Sequence, residues 1–240
     1  NPNDPNERFS MSVLACNLSQ EVNGVSWLHG EVSKDLLGNM WPGYFKKELH
    51  IGYVTNGVHF PTWIASNLRR LYERYFPKGF NSHVYNIPEW QGVHKIDDAE
   101  LWNERIALKT RLINHIRKRY SDPAQARFDS PRQMVRVAES IRPDVLTIGF
   151  ARRFATYKRA HLLFTNLDRL SKLVNNPERP VQFIFAGKAH PHDIPGQDLI
   201  KRIVEVSKMP EFLGKIVFLQ NYDMELARRM VQGVDVWLNT

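Results

Sequence analysis

From residue 144 onward, mostly apolar runs recur along the chain at 145–150, 181–185, 216–219 and 234–238. Each has the length of a strand and lacks polar alternation, the pattern of parallel strands covered on both faces. Segments of helical apolar spacing separate them, the first predicted over 157–173. Strand and helix thus alternate, which predicts an α/β fold with a Rossmann-like, doubly wound parallel sheet over 144–240.

Upstream the pattern changes. The spacing predicts a long helix over 97–120, with Leu101, Ile106, Leu108, Leu112, Ile113 and Ile116 on its apolar face. A second helix is predicted to begin at Ser130-Pro131, because proline is favoured in a first helical turn. Thr62 or Ser66 is placed to cap a helix through Leu71 and Tyr75, which Pro77-Lys78-Gly79 would end. Residues 81–95 read as loop. From 9 to 63, helical periods alternate with turns bearing glycine and asparagine, too little to form a domain alone. The expected organisation is a mainly helical closing part of an earlier domain at 1–66, then a helical linker and the start of a second domain at 67–143. The truncated βα units of that second domain would occupy 144–240.

Composition narrows the class. Of the 240 residues, 42% are apolar and 24% charged, which suits a soluble globular chain with a sizeable core. No apolar run approaches the length of a membrane helix, so no membrane partner is expected. The one cysteine, Cys16, has no companion for a disulfide or a zinc site, which fits a reducing cytoplasm. A net charge of +8 raises the question of nucleic acid, and His115-Ile116-Arg117-Lys118-Arg119-Tyr120 is a dense basic cluster. That cluster ends a predicted helix, where cations complement the dipole, and no nucleic-acid partner is expected from it.

A second basic cluster carries more chemistry. In Gly149-Phe150-Ala151-Arg152-Arg153-Phe154-Ala155-Thr156-Tyr157-Lys158-Arg159-Ala160, four cations fall within eight residues directly after a predicted strand. Solvated charge is the plainer reading of arginines and lysines taken by composition. Their place at the carboxyl edge of a parallel sheet, where ligands bind and helix N-termini offer free N–H groups, points instead to an anion. Gly187-Lys188 ends the next predicted strand, where glycine permits close approach of a ligand. Asp223 is placed to cap a helix beginning at Met224. His190 and His192 lack a carboxylate partner at sensible spacing for a metal site.

The cationic string is followed by Phe183-Ile184-Phe185-Ala186-Gly187-Lys188-Ala189-His190-Pro191 and by Val217-Phe218-Leu219-Gln220-Asn221-Tyr222. Upstream lie Asn23-Gly24-Val25-Ser26-Trp27-Leu28-His29-Gly30-Glu31-Val32-Ser33 and Thr55-Asn56-Gly57-Val58-His59-Phe60-Pro61-Thr62-Trp63. In order and spacing these segments resemble the α-glucan phosphorylases, in particular their shorter bacterial and archaeal subfamily. The resemblance implies the first part of the C-terminal domain in a two-Rossmann-domain glycosyltransferase. It also implies reversible phosphorolysis of an α-1,4-glucan by inorganic phosphate, giving glucose 1-phosphate with retained configuration, with pyridoxal phosphate as cofactor. Arg153 and Lys158 match the substrate-phosphate ligands, Arg152 a contact to the cofactor's phosphate and Tyr222 a tyrosine beside the cofactor. With a one-residue gap, Asn67 matches an asparagine that holds the glucosyl unit. At Asp223 the sequence departs from longer relatives, which often carry a basic residue there. Arg159, His29, His59, Asn56 and Lys188 lie in the same strings, where structural or solvated roles suffice.

The chain starts without methionine at Asn1-Pro2 and stops at Asn239-Thr240. By the resemblance it is an internal piece of a longer protein, and the lysine that holds the cofactor lies after its last strand, outside this sequence. The piece alone is expected to be inactive, and a homodimer of the whole protein is a further implication. Two other readings stay open. One is a glucan synthase of the same architecture that uses a sugar nucleotide; the other is a noncatalytic basic module that binds a polyanion or a glucan.

Overall fold

The computed structural model describes residues 8–121 and 130–240, which fall into two compact units divided between His59 and Phe60. In the first, helix α1 (Met11–Leu18) is capped by the Ser10 hydroxyl, which accepts from the Val13 amide. Strands β1 (Val22–Gly24) and β2 (Ile51–Tyr53) pair in parallel, joined through helix α2 (Trp27–Leu37). Gly24 lets that helix start against the strand: a Cβ there would sit 2.4 Å from the Gly30 nitrogen. The expectation of mainly helical elements missed this pair, because strands three residues long carry too few positions to show alternation.

The second unit opens with α3 (Phe60–Trp63) and α4 (Ser66–Tyr75). Neither expected cap is the N-cap of α4: Ala65 occupies that position without a side-chain bond, and Ser66 is the first helical residue. Residues 80–82 and 87–95, expected as loop, form 3₁₀ turns. Phe76, Phe80 and Trp90 join α4 to these turns in an aromatic cluster, with the Phe80 and Trp90 rings edge to face at 4.9 Å. Helix α5 (Asp98–Ser121) follows, its entry fixed by the Asp97 carboxylate accepting from the Glu100 amide, and α6 (Pro131–Ser140) starts as expected.

The sheet has four parallel strands: β3 (Leu146–Ala151), β4 (Val181–Ala186), β5 (Ile216–Leu219) and β6 (Val236–Trp237). Their order is β5-β4-β3-β6, so successive strands step outward from β3 and then return to its other side. Helices α7 (Leu167–Val174) and α8 (Ile194–Lys208) cover one face, where Phe150, Phe183, Phe185 and Ile216 point. The opposite face presents Ala151, Ile184, Val217 and Leu219 to α5, α6 and α9 (Met224–Gly233). This is double winding: helices lie on both faces and the reversal of strand order falls between β3 and β6. Among the described residues, no helix is long and apolar enough to cross a membrane.

Helix α5 runs from the amino edge of this sheet to its carboxyl edge. At its middle, Lys109 is 3% exposed and donates to the Asp235 carboxylate at 2.7 Å and the Val145 carbonyl at 3.2 Å. The same carboxylate oxygen accepts from the Thr147 amide at 2.8 Å, so Asp235 ties the starts of β3 and β6 to the helix. Removing one partner of a buried pair strands the other charge. Asp235→Ala is therefore expected to cost about 3 kcal/mol or more, visible as a lower denaturant midpoint, and an unshifted midpoint would contradict this staple. Near its end, Arg119 donates to the Gln220 carbonyl and Arg117 to those of Ala138 and Ile141. The basic cluster at 115–120 is thus partly consumed in capping backbone.

The predicted helix over 157–173 is corrected. Residues 156–158 and 160–164 form two 3₁₀ turns, and α7 begins only at Leu167, capped by Asn166. The break is Arg159, whose φ of 50° is left-handed and cannot continue a helix.

Candidate functional site

All four strands of the second unit deliver their carboxyl ends to one edge, and the strand order reverses between β3 and β6 at that edge. In open α/β sheets this is where a crevice for ligands forms. Directly after β3 come Arg152 and Arg153. The chain is pinned again at Phe154, which is 1% exposed, donates its amide to the Lys188 carbonyl at 2.9 Å and bridges to Ala189. The two arginines therefore occupy a short segment fixed at both ends, with Arg152 half-buried and Arg153 exposed.

The turn that follows carries Lys158, whose ammonium lies 4.6 Å from the centroid of the exposed Tyr157 ring. A cation over an aromatic face is held without being neutralised. Arg159 is exposed at the left-handed position that ends the turn. Among the described residues, none of Arg152, Arg153, Lys158 and Arg159 pairs with a carboxylate in the structure, whereas Lys46, Lys109 and Arg229 do. Positive charge is thus concentrated at the switch point and left for something else to neutralise.

Across the switch point, β6 reaches the same segment. The Leu238 amide donates to the Gly149 carbonyl at 2.8 Å, Arg152 Nη1 donates to the Asn239 side-chain oxygen, and the Thr240 hydroxyl donates to the Lys158 carbonyl at 2.7 Å. Sequence reasoning missed Asn239 and Thr240. Their only signal was their place after an apolar run, and what they meet depends on the strand order.

Gly187 has a different partner from the one expected. A Cβ there would lie 2.1 Å from the Arg152 carbonyl oxygen, so this glycine accommodates the arginine segment rather than a ligand. The Lys188 side chain is exposed, and its carbonyl serves Phe154. Tyr222 follows β5 at the same edge, half-buried against the core under α5 and α9. Burial raises its phenol further above the ordinary range, where it is a neutral donor. Asp223 caps α9 as the sequence suggested, accepting from the Leu226 amide at 2.8 Å.

Asn67 is not brought to this cluster. It sits at the start of α4, 5% exposed, with its amide nitrogen donating to Glu104 and its side-chain oxygen buried without a partner. Glu104 lies on α5 five residues before Lys109, which meets Val145 and Asp235 at the amino edge. His29 has a local role, its Nδ1 accepting from the Val25 amide at 3.2 Å. The rings of His190 and His192 lie 5.5 Å apart, and among the described residues no group of histidine, cysteine and carboxylate side chains is arranged to hold a metal ion.

The profile of the carbohydrate phosphorylase family matches residues 2–238. A glycogen phosphorylase of Aquifex aeolicus is 49% identical over 240 residues, which is 100% of this chain and 34% of that protein. A maltodextrin phosphorylase of Thermococcus litoralis is 42% identical over 97% of this chain and 27% of its own length, and a glycogen phosphorylase of Mycobacterium tuberculosis is 40% identical over 98% and 27%. The chain thus spans about a third or less of the length of these relatives.

Proposed function

Because the chain belongs to the carbohydrate phosphorylase family, we propose that its cation segment serves the phosphorolysis of an α-1,4-glucan to glucose 1-phosphate. The observation that carries this reading is the placement of Arg152, Arg153 and Lys158 at the switch point of a parallel sheet, with no carboxylate partner among the described residues. A neutral glucan has no use for such charge, but phosphate does. Arg153 offers a planar fork to two oxygens of the attacking phosphate, and Lys158 a compact point charge.

The same donor set suits a second phosphate, that of pyridoxal phosphate, and Arg152 is the residue assigned to it. When bound, that group supplies a 5′-phosphate able to exchange a proton with the substrate phosphate, so no pair of catalytic carboxylates is required. What the chain's own residues do is electrostatic. Two phosphates in contact within a partly dry cleft repel by several kcal/mol, and fixed cations at this edge offset that repulsion throughout the reaction. Tyr222, a neutral phenol half-buried after β5, would serve as a donor to the ring substituents of the cofactor. Asn67, held by Glu104 on α5, is left out of this set.

The test is release of glucose 1-phosphate from maltodextrin and phosphate by the full-length protein, with and without pyridoxal phosphate. Release that depends on the cofactor is the expected result. No release, with glucan extension from a sugar nucleotide instead, would move the same cations to a nucleoside diphosphate and make the enzyme a synthase.

A further inference from the structure

We propose that Asn239 and Thr240 are positioning residues for the anion-binding segment, holding it from the far side of the switch point. The phosphorolysis reading above supplies the identity of the anion, and this inference rests on it.

The segment over 152–158 is anchored on its β4 side by the amide of Phe154 on the Lys188 carbonyl. On its β6 side, the last bond of the strand ladder is the Leu238 amide to the Gly149 carbonyl. The next two residues then each take one end of the segment. Asn239 accepts from Arg152 Nη1, and the Thr240 hydroxyl donates to the Lys158 carbonyl at 2.7 Å. Two consecutive side chains thus fix one cation by its head group and another by its backbone.

Both side chains are neutral, and this suits the site. A carboxylate at 239 would orient Arg152 equally well but would also neutralise it and repel an incoming phosphate. An amide oxygen takes one donor of the five on the guanidinium and leaves the others for an anion. The Thr240 bond goes to a carbonyl, so it constrains the turn bearing Lys158 without touching the ammonium.

The experiment uses the full-length protein and two readouts: the dissociation constant of inorganic phosphate by titration calorimetry, and steady-state kinetics with phosphate and glucan varied separately. Thr240→Val is expected to weaken phosphate binding and raise the KM for phosphate about tenfold, the upper end of what one neutral hydrogen bond contributes. The KM for glucan should stay unchanged, and Thr240→Ser should restore the wild-type values. Asn239→Ala frees Arg152 and so loosens the segment that carries its neighbour Arg153. It is expected to weaken phosphate binding about fivefold, and Asn239→Asp to weaken it further. Unchanged affinity in both Thr240→Val and Asn239→Ala would overturn the proposal. So would tighter binding in Asn239→Ala, which would make Asn239 a competitor of phosphate, or equal loss in Thr240→Val and Thr240→Ser. A wild-type protein that binds phosphate yet releases no glucose 1-phosphate would sink the phosphorolysis reading alone, because the affinity ratios still decide this one. No phosphate binding by the wild type would sink both.

Discussion

Lys158→Ala and Arg153→Ala, each made in the full-length protein, are expected to lower kcat/KM for phosphate by about 10²- to 10³-fold, the range measured when one preorganised donor to developing charge is removed. The structure separates this effect from unfolding. Arg153 is exposed, and neither side chain forms a salt bridge among the described residues. The Lys158 ammonium has the Tyr157 ring as its contact, and the backbone of the turn is held by bonds that survive the substitution: the Lys158 amide to Ala155 and the Thr240 hydroxyl to the Lys158 carbonyl. Melting temperatures should therefore stay near the wild-type value. The two losses are not expected to add, because both side chains act on one phosphate. Arg153→Lys should recover only part of the activity, since a point charge replaces a fork that can hold two oxygens. Near-normal turnover in both alanine variants would remove the phosphate from this segment.

The strands were legible because a strand covered on both faces needs mostly apolar residues, its few buried polar ones such as Thr147 and Gln182 bonding each other. The runs at 145–150, 181–185 and 216–219 coincide with β3, β4 and β5 to within a residue at either end. The apolar run at 234–238 is longer than β6, which pairs only at Val236 and Trp237. The helix predicted over 157–173 failed for a reason that composition hides. Ala160 and Phe164 are buried at a spacing a helix would give, but two 3₁₀ turns bury them equally well. Arg159 breaks the helix with a left-handed backbone that a non-glycine residue rarely takes.

The candidate site was half legible. Four cations after an apolar run identify themselves, and a strand's end is a fixed place in a parallel sheet. What neighbours them is set by strand order, which no local pattern records. Asn239 and Thr240 meet the cations only because β6 returns to the far side of β3. Asn67 shows the same limit: the match offers it to the glucosyl unit, and its bond to Glu104 on α5 is a contact that no local pattern records.

Gly187→Ala is the substitution expected to damage both the fold and the site, and it separates two roles for this glycine. Its φ of 151° lies where side chains are disfavoured, and an added methyl would meet the Arg152 carbonyl oxygen at 2.1 Å and the Phe154 ring at 2.8 Å. The ring edge has some freedom, but the carbonyl belongs to the backbone of the arginine segment and no rotamer relieves the clash. Relief therefore requires the segment to move away from β4, which breaks the Phe154 amide bond to Lys188 and the bridge to Ala189. Strained backbone and a lost buried contact together put the cost on the order of 2–4 kcal/mol, and the apparent melting temperature of the full-length protein should fall by several degrees. The displaced Arg152 and Arg153 should also raise the KM for phosphate, on the order of tenfold or more if a charge-assisted hydrogen bond is lost. Had the glycine served the approach of a ligand, the alanine variant would lose phosphate binding with only the smaller loss of stability that backbone strain brings. The close approach of Arg152 predicts that both fall together, and a variant with wild-type melting temperature and wild-type KM would show that the Arg152 carbonyl does not rest against Gly187.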